Sequence, residues 1–222
     1  SNGQQVLQAA DGKVLVLGFC TSQIAADYCV RRLNANGSND TTFGTGGQGE
    51  VAVDLGGQDF PSMMDIAPDG KIVIGGNGAT GQLVRLTANG QRDTSFGTNG
   101  VLATSVYRVF ALCVRGDGKI VYTGDCSGAP ARFCIARTNS NGAADTTFNG
   151  GNLLQFTPAF TAAGKNAVSH ALALAPDGSA YLGGSCDAST TTTPRLQFCV
   201  AKVTPNGAVD TTFGSAGSMN FG

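Results

Sequence analysis

The chain has 222 residues, a net charge of −1 and only 13% charged residues, and it contains 33 glycines. The near-neutral charge and the lack of a basic block argue against nucleic-acid binding, which needs clustered Lys and Arg to displace counterions. No apolar run reaches the length of a membrane span, so we expect no direct membrane insertion.

One pattern occurs four times and divides the chain into repeats. Each copy runs from an Asn-Gly pair through an Asp to a Phe. The Phe residues of successive copies are 53, 52 and 65 residues apart; they are Phe43, Phe96, Phe148 and Phe213. Such periods are typical of propellers, solenoids and repeat arrays. We predict a single β-propeller domain over residues 1–222, with repeats over approximately 1–49, 50–100, 101–151 and 152–217 and a closing strand over 218–222.

Four short apolar runs in each repeat predict a four-stranded antiparallel meander, the size of one propeller blade. Two runs flank an Asp-Gly pair, which favours a two-residue type I′ hairpin turn; these pairs begin at Asp11, Asp69, Asp117 and Asp177. A third run precedes each Asn-Gly pair and a fourth follows each Phe. The runs are rich in aliphatic and β-branched residues, as buried strands are. The predicted fold class is therefore all-β.

The chain ends predict how the blades close. If the run after each Phe is the first strand of the next blade, residues 1–49 lack a first strand and residues 218–222 supply one. We therefore predict a four-bladed propeller whose ring is closed by the C-terminal strand joining the first blade, which removes open sheet edges. The alternative is an arc of a larger ring.

The repeats resemble the delta-60 repeat, a bacterial family with the pattern PDGKI-V-GG, then F-L-RL, then G--D-TFG--G. The resemblance covers essentially the whole chain and is closest in the second repeat, at 68–76 and 84–86. Ser179 replaces the Lys of the pattern, and Asn149 replaces the Gly after Phe. The family is similar to propeller repeats and is associated with secreted or surface-attached proteins. It implies no chemistry.

Six of the seven cysteines fall into two columns when the repeats are aligned on their turns. The second repeat has Gly78 and Gln82 in these columns, so both cysteines are absent together, as expected for bonded pairs. We predict disulfides that join the third strand of a blade to its fourth: Cys20–Cys29, Cys126–Cys134 and Cys186–Cys199. Zinc binding is the alternative, but the spacings suit it poorly.

Disulfides indicate a secreted, periplasmic or cell-surface protein, and any signal peptide is expected to be removed or to lie outside this sequence. Cys113 is expected to be a buried, inert thiol.

Two columns of charged residues could bind ions. The repeated Asp could bind calcium, but one Asp in each repeat does not supply the six to eight oxygens required, and capping of a turn is the simpler role. The second column could form an anion or glycan site, or its members could each pair with an acid such as the repeated Asp; it contains Arg32, Arg85, Arg137 and Lys202. We predict capping and ion pairing, a Phe packed between blades, and no metal site.

The sequence gives little sign of catalysis. His170 is the only histidine, and we find no nucleophile motif, phosphate loop or paired carboxylates. A catalytic triad needs a nucleophile, a base and an orienting acid together. We expect no catalytic residue, no cofactor and no enzyme activity, with a hydrolase or lyase as the weakest alternative.

Loop length indicates where a binding function lies. The fourth repeat has two long loops, 157–169 and 187–197, which we predict on the face opposite the repeated turns. Variable loops on a rigid scaffold commonly carry function, although insertions also drift neutrally where nothing packs against them. The candidate ligand-binding residues are Tyr107, Arg108, Phe160, Lys165, Asn166, Thr192 and Arg195.

We therefore expect a bacterial, extracellular recognition or adhesion module that is part of a larger surface protein. It would bind a glycan or a cell-surface protein on the variable loop face, with aromatic rings for stacking and polar side chains for directional hydrogen bonds. The alternative is a structural spacer or fibre-tip cap without a small ligand.

Overall fold

The protein folds into β-sheets, as the apolar runs predict. The computed structural model describes residues 2–21, 26–126 and 128–221. Within these residues, sixteen strands form four antiparallel sheets of four strands, and each sheet keeps its strands in chain order. Such sheets are consistent with the predicted four-bladed propeller.

The strands of the first sheet are β1 (Asn2–Gln8), β2 (Val14–Thr21), β3 (Ala26–Leu33) and β4 (Glu50–Val53). The second sheet contains β5 (Phe60–Ile66), β6 (Ile72–Asn77), β7 (Gly81–Leu86) and β8 (Val101–Ala103). The third contains β9 (Arg108–Val114), β10 (Ile120–Asp125), β11 (Phe133–Thr138) and β12 (Leu154–Phe156), with a short 3-10 helix at Asn149–Gly151. The fourth contains β13 (Ala167–Leu174), β14 (Ala180–Asp187), β15 (Leu196–Val203) and β16 (Ser218–Phe221).

The predicted closure of the ring by the C-terminal strand is wrong. Strand β16 pairs with β15 of its own repeat, and the first sheet already has a fourth strand, β4. The physical reason is the loop between the third and fourth strands, which folds back so that the Arg32 N–H donates to the Gly49 oxygen. The sheets therefore span 2–53, 60–103, 108–156 and 167–221, and the predicted repeat boundaries cut each sheet one strand too early.

The Asp-Gly loops are longer than the predicted type I′ turns. In the first repeat, Gly12 N–H donates to the Ala9 oxygen at 2.9 Å and Ala9 N–H donates to the Lys13 oxygen at 2.8 Å. Gly12 has a φ of 82°, whereas Asp11 has no positive φ, and its carboxylate accepts the Lys13 N–H. This is a type I turn followed by a left-handed glycine, which needs positive φ only at the glycine.

The described chain divides into two compact units. One comprises Ser1–Thr104, Val114–Lys119 and Ser140–Gly142, and the other comprises Ser105–Cys113, Ile120–Asn139 and Ala143–Gly222. The core of the first includes Tyr28, Phe43 and Met64, contributed by facing sheets of that unit. The core of the second includes Phe133 and Leu182. Each unit thus buries the apolar faces of its own sheets.

Three disulfides join neighbouring strands in the predicted pairs. The Cα atoms lie 5.7, 6.2 and 6.1 Å apart in Cys20–Cys29, Cys126–Cys134 and Cys186–Cys199. Each bond links the second strand of a sheet, or the residue after it, to the third strand, and not the third to the fourth as predicted. The strand numbers differ by one because each sheet begins one strand later than predicted. Cys113 is half-buried rather than buried, with its Sγ 3.9 Å from the Leu172 oxygen. The three disulfides indicate an oxidising compartment. Across the described residues, no helix has the length and hydropathy needed to cross a membrane.

Candidate functional site

The cations of the predicted column are paired with the repeated Asp. The Nε atoms of Arg32, Arg85 and Arg137 donate to carboxylate oxygens at 2.7, 2.8 and 2.6 Å, and Lys202 Nζ lies 2.9 Å from its partner; the acids are Asp40, Asp93, Asp145 and Asp210. The other oxygen of each Asp caps the turn by accepting the N–H and hydroxyl of the Thr or Ser two residues later. The predicted capping and ion pairing are confirmed, and these cations serve the scaffold.

In the first three repeats, the same side chain also reaches the Asn-Gly turn of the following repeat. Arg137 Nη1 donates to the main-chain oxygen of Pro205 at 2.8 Å, and Arg32 and Arg85 donate to the matching oxygens of Ala88 and Ser140. Each guanidinium lies 4.6 to 4.7 Å from the centroid of the Phe ring in its own motif. Such a cation over an aromatic face is attractive. We call these contacts, together with the turn that they hold, the repeat joint.

The Phe of each joint packs against the glycine of the next turn. A Cβ on Gly90, Gly142 or Gly207 would lie 2.9, 3.2 or 3.0 Å from the ring of Phe43, Phe96 or Phe148. These three rings are at most 2% exposed. The predicted packing of the Phe between repeats is confirmed, and it depends on a residue without a side chain.

The contacts of the joint also keep its Asp ionised. Burial alone would raise the pKa of Asp93, but the hydrogen bonds from Ser95 and the charges of Arg85 and Lys71 outweigh it and lower the pKa to about 2. Hydrogen bonds from Lys13, Thr42 and Arg32 likewise hold the pKa of Asp40 well below its ordinary value. The ion pairs therefore persist over the whole physiological pH range.

The two long loops of the fourth repeat meet at Asp187, the last residue of β14. Its Oδ1 accepts the N–H groups of Ser189 at 2.9 Å and Arg195 at 3.0 Å, which closes the second loop. Its main-chain oxygen accepts the Ala162 N–H and its N–H donates to the Asn166 oxygen, both at 2.9 Å, which binds the first loop. Hydrogen bonds from Ser189 and Arg195 lower the pKa of Asp187. We call residues 157–166 and 188–195 the loop cluster.

Two of the predicted ligand-binding residues fasten the loop cluster. Asn166 Oδ1 accepts the Ala131 N–H at 2.8 Å, from the loop between β10 and β11. Lys165 Nζ donates to the Thr191 main-chain oxygen at 2.5 Å. Phe160 is half-buried, whereas Thr192 and Arg195 are exposed. The cluster therefore presents Thr192 and Arg195 outward and uses Lys165 and Asn166 internally.

The remaining predicted residues, Tyr107 and Arg108, lie at the start of β9 in the third sheet. Tyr107 is 53% exposed, and the Arg108 guanidinium lies 5.6 Å from the centroid of its ring. The Tyr107 N–H donates to the Asp125 oxygen at 2.6 Å. In the described part of the chain, these contacts attach the pair to β10 and not to the loop cluster.

An apolar groove that the sequence analysis missed lies beside the loop cluster. It has a volume of about 360 Å³ and is lined by His170, Ala171, Leu196 and Phe198, among others. Leu196 and Phe198 are 66% and 56% exposed. The only sequence signal of this groove is the aromatic residue at 198. His170, which was considered for catalysis, packs against Phe110 with ring centroids 5.1 Å apart.

Three carboxylates in the first compact unit form a further candidate site. One oxygen each of Asp27, Asp54 and Asp59 lies within 4.8 Å of the others, and Asp27 and Asp59 are buried. Burial and the charges of the two neighbouring acids raise the pKa of Asp59, against a hydrogen bond from the Leu55 N–H. A donor set of oxygens alone suits a hard cation such as Ca²⁺. The sequence analysis considered calcium only at the repeated Asp.

The repeated loops and the Phe motifs are similar to a known sequence family. Three segments of the chain match the DUF5122 beta-propeller family model. The family is described as a domain of unknown function (DUF5122) beta-propeller, and the matched residues are 9–43, 67–96 and 115–148. Each matched segment begins at or next to an Asp-Gly loop and ends at the Phe of its joint, so the match covers the second and third strands of the first three sheets and leaves out the first and fourth. No curated protein matches the chain.

Solved structures with a TM-score of 0.51 share the fold at low sequence identity. The extracellular domains 1–2 of Drosophila semaphorin 1b are 10% identical, with a TM-score of 0.51, and the match covers 91% of this chain and 38% of that one. The PQQ-bound form of aldose sugar dehydrogenase from Streptomyces coelicolor is 12% identical, with a TM-score of 0.51 and coverage of 96% and 63%. A protein of unknown function from Bacteroides caccae is 12% identical, with a TM-score of 0.40 and coverage of 99% and 81%. The semaphorin and dehydrogenase likenesses concern the fold alone.

Proposed function

We propose that this chain is a non-enzymatic recognition module, exported to the bacterial cell surface or the extracellular space, that binds a glycan or a protein surface through the loop cluster. The disulfides support export. The DUF5122 match is consistent with repeats of the delta-60 kind, which we propose as their finer classification.

The observation that carries this proposal is the attachment of both inserted loops to Asp187. Its carboxylate and its main chain together make four hydrogen bonds, of 2.9 to 3.0 Å, to residues of the two loops. Insertions that drift without function need no such common anchor. A loop held in one conformation loses little further freedom when a ligand binds, so more of its contact energy appears as affinity.

The exposed side chains of the loop cluster suit a polar ligand. The Thr192 hydroxyl can donate and accept, and the Arg195 guanidinium presents several donors in a fixed plane. The half-buried ring of Phe160 offers apolar area for stacking on a sugar face or a side chain. We therefore expect binding to depend on Thr192 and Arg195 directly, and on Lys165 and Asn166 through the position of the loops.

The proposal is tested by screening the oxidised protein and a T192A/R195A variant on a glycan array and against surface proteins. The variant keeps the Arg195 N–H that bonds Asp187, so the loops keep their anchor. A T41A/T211A variant is the matched control, because it removes exposed threonines from the repeated turns. Binding that is lost only in T192A/R195A supports the proposal. Binding that is equal in all three proteins, or absent from all, overturns it.

A structural role as a spacer or cap is the second candidate function. It is favoured by a different observation, the exposed apolar residues on the fourth sheet, where Leu196, Phe198 and Phe221 are 66%, 56% and 58% exposed. Apolar surface of this kind commonly marks a site of assembly.

A further inference from the structure

Three acids of the first compact unit meet at one end of the pair formed by β3 and β4. The register of this pair, continued by one residue, places Asp27 opposite Asp54, which follows β4 directly. Asp59 lies beside them, because its N–H donates to the Ala26 oxygen at 2.7 Å. One carboxylate oxygen of each acid lies within 4.8 Å of those of the other two. We call Asp27, Asp54 and Asp59 the acid cluster.

The charges of the acid cluster are not balanced by a basic side chain. Among the described residues, no ion pair involves any of the three acids. Like charges directly opposite each other on neighbouring strands destabilise a sheet. Asp27 and Asp59 are only 6% and 0% exposed, and a buried charge needs either a charged partner or a metal ion. A cation bound between the carboxylates would supply the missing balance.

Oxygens beside the cluster give independent evidence for a bound group. Asp59 Oδ1, Gln82 Oε1 and Tyr28 Oη are buried and have no hydrogen-bond partner among the described residues. A Cβ built on Gly78 would clash with Asp59 Oδ1 and lie 3.3 Å from Gln82 Nε2, so the carboxylate and the amide lie side by side. Buried polar groups are nearly always hydrogen-bonded, and three unpartnered oxygens in one place therefore indicate a ligand.

Tyr28 is not one of the acids, yet its hydroxyl borders the same place. The side chain is fully buried. A Cβ on Gly76 would clash with this hydroxyl and with the main-chain oxygen of Phe60, the residue after Asp59. Burial and the nearby charge of Asp59 raise the pKa of Tyr28 well above its ordinary value. The hydroxyl thus faces the carboxylate without being bonded to it.

The amide of Gln82 stands where the other three sheets have a disulfide. The third strand pairs a glycine of the second strand with Gln82 in the second sheet and with a bonded cysteine elsewhere, as in Gly76–Gln82, Gly18–Cys29 and Gly184–Cys199. Gly78, two residues after the paired glycine, takes the place of the other cysteine. Among the described residues, the second sheet is therefore the one sheet without a disulfide, and the Asp59 carboxylate lies beside the position of that bond.

We propose that the acid cluster binds a Ca²⁺ ion, with the carboxylates of Asp27, Asp54 and Asp59 and the side-chain oxygen of Gln82 as ligands. Oxygens bound to one Ca²⁺ at about 2.3–2.6 Å lie at most about 5 Å apart, and the cluster meets this limit. The amide oxygen and nitrogen of Gln82 exchange places when the amide turns over, so its oxygen can face Asp59. Water completes the ligand shell at Asp54, the exposed member, where the ion enters.

The chemistry of the cluster selects Ca²⁺ among common cations. Ca²⁺ takes several carboxylates with mixed geometry, whereas Mg²⁺ keeps most of its water and is usually held by one or two carboxylates. The disulfides indicate an oxidising compartment, and extracellular modules bind Ca²⁺ with a Kd of about 10⁻⁴–10⁻³ M. The ion would join the loop before β5 to β3 and β7, and it would give the second sheet a cross-link in place of a disulfide. This inference goes beyond the proposed function and uses no residue of the loop cluster.

Thermal unfolding of the oxidised protein, stripped of metal with EDTA and dialysed, tests the proposal. A Ca²⁺ concentration about 100-fold above Kd should raise the melting temperature by about 5–10 °C, and the same concentration of MgCl₂ should raise it far less. Asp59→Asn should melt no lower than the wild type in EDTA and should show no rise with CaCl₂. The matched control is Asp11→Asn, which removes an exposed carboxylate from the same compact unit and should keep the full rise.

Terbium luminescence locates the ion. Tb³⁺ replaces Ca²⁺ in oxygen sites and emits when an excited tyrosine lies close to it, and the chain has four tyrosines and no tryptophan. We expect emission from the wild type that CaCl₂ displaces, and none from Asp59→Asn. Tyr28→Phe should lose the emission but keep the rise in melting temperature with CaCl₂, because its hydroxyl is not a ligand.

Four results would overturn the proposal. They are a melting temperature of the wild type that CaCl₂ does not raise, an equal rise with MgCl₂, an equal rise with CaCl₂ in Asp59→Asn, and terbium emission that Tyr28→Phe leaves unchanged. Circular dichroism of each variant in EDTA establishes that it is folded before metal is added, so a lost response reports on the site.

Discussion

The packing of Phe against a turn glycine predicts unequal effects for the same substitution at two glycines. Gly90 and Gly37 lie at the same place in their repeats and share a φ of 84°. A Cβ on Gly90 would lie 2.9 Å from the Phe43 ring and 3.0 Å from the Gly44 nitrogen, whereas a Cβ on Gly37 would meet nothing within 4 Å. Gly37→Ala is therefore a control for the backbone alone.

The expected loss of stability has two parts. Placing Ala in a left-handed conformation costs about 1 kcal/mol, and this cost applies to both variants. Overpacking of a filled site adds about 1–3 kcal/mol, and this cost applies only to Gly90→Ala, where Phe43 is fully buried. We expect Gly37→Ala to lower the free energy of unfolding by about 1 kcal/mol and Gly90→Ala by about 2–4 kcal/mol.

Urea unfolding of the oxidised proteins, followed by circular dichroism, measures both values. Both glycines lie in the same compact unit, so one transition reports both. Replacing Phe43 with the smaller leucine should reduce the additional cost of Gly90→Ala, because the free-energy effects of substitutions at two contacting residues are not additive. Equal losses in the two alanine variants would refute the proposed packing. The packing would also be refuted if Gly90→Ala cost the same free energy of unfolding in the Phe43→Leu background as in the wild type.

Three further predictions concern charge and covalent links. Asp93→Asn should lose about 2 kcal/mol at pH 7, because the folded pKa of Asp93, about 2, lies below its ordinary 3.8; the loss should fade as the pH drops from 4 towards 2 in urea titrations, and a loss independent of pH would contradict the ion pair. Asp59→Asn should raise the melting temperature at pH 7 in EDTA, because a raised folded pKa means that the carboxyl costs stability as the pH rises above its ordinary value; below pH 4 the gain should vanish, and a lower melting temperature at pH 7 would count against it. Removing the Cys186–Cys199 bond in C186A/C199A should cost about 3 kcal/mol in the same urea assay, and an unchanged midpoint would show that the bond adds no stability.

The repeat made much of the scaffold predictable from the sequence. Alignment of the four copies placed six cysteines in two columns, and the second repeat lost both members together, which is why the pairing could be predicted. The Arg and Asp columns were predicted to pair for a similar reason, since two opposite charges recur at a fixed spacing. In each case the partners lie in one repeat. The Arg and Asp partners of the first three repeats are always 8 residues apart, whereas the cysteine pairs are 9, 8 and 13 residues apart and are related by their columns.

The sheet to which the strand after each Phe belongs could not be predicted in the same way. A period shows which runs recur, but the run after each Phe can pair with the strand before it or open the next blade. Main-chain bonds such as Arg32 N–H to Gly49 O decide between these arrangements, and they carry no side-chain signature. The type of the Asp-Gly turn was missed for a related reason, because Asp and Gly occur in both kinds of loop.

For the candidate site, loop length singled out the two loops that meet at Asp187, but it did not predict the roles of their residues. Lys165 and Asn166 have side chains that suit a ligand, yet each is bound to a main-chain group of another loop. Acceptors and donors of the main chain are present at every residue, so the sequence does not show which of them a side chain will use. Asp187 was included only as the edge of a loop, although it makes more of the anchoring contacts than any predicted residue of the loop cluster.

Equivalent residues of different repeats are not equally buried, so the sequence of one repeat does not predict their burial. Phe43 and Phe213 stand in the same motif, and Tyr28 and Phe198 occupy the same place in their sheets, but one member of each pair is buried and the other is not. The local sequence is nearly the same in each comparison, so the difference comes from the surface that lies against the repeat. A repeat protein buries its apolar residues against neighbouring repeats. The loop cluster departs from the repeat, and we propose it as the part of the chain that recognises another molecule.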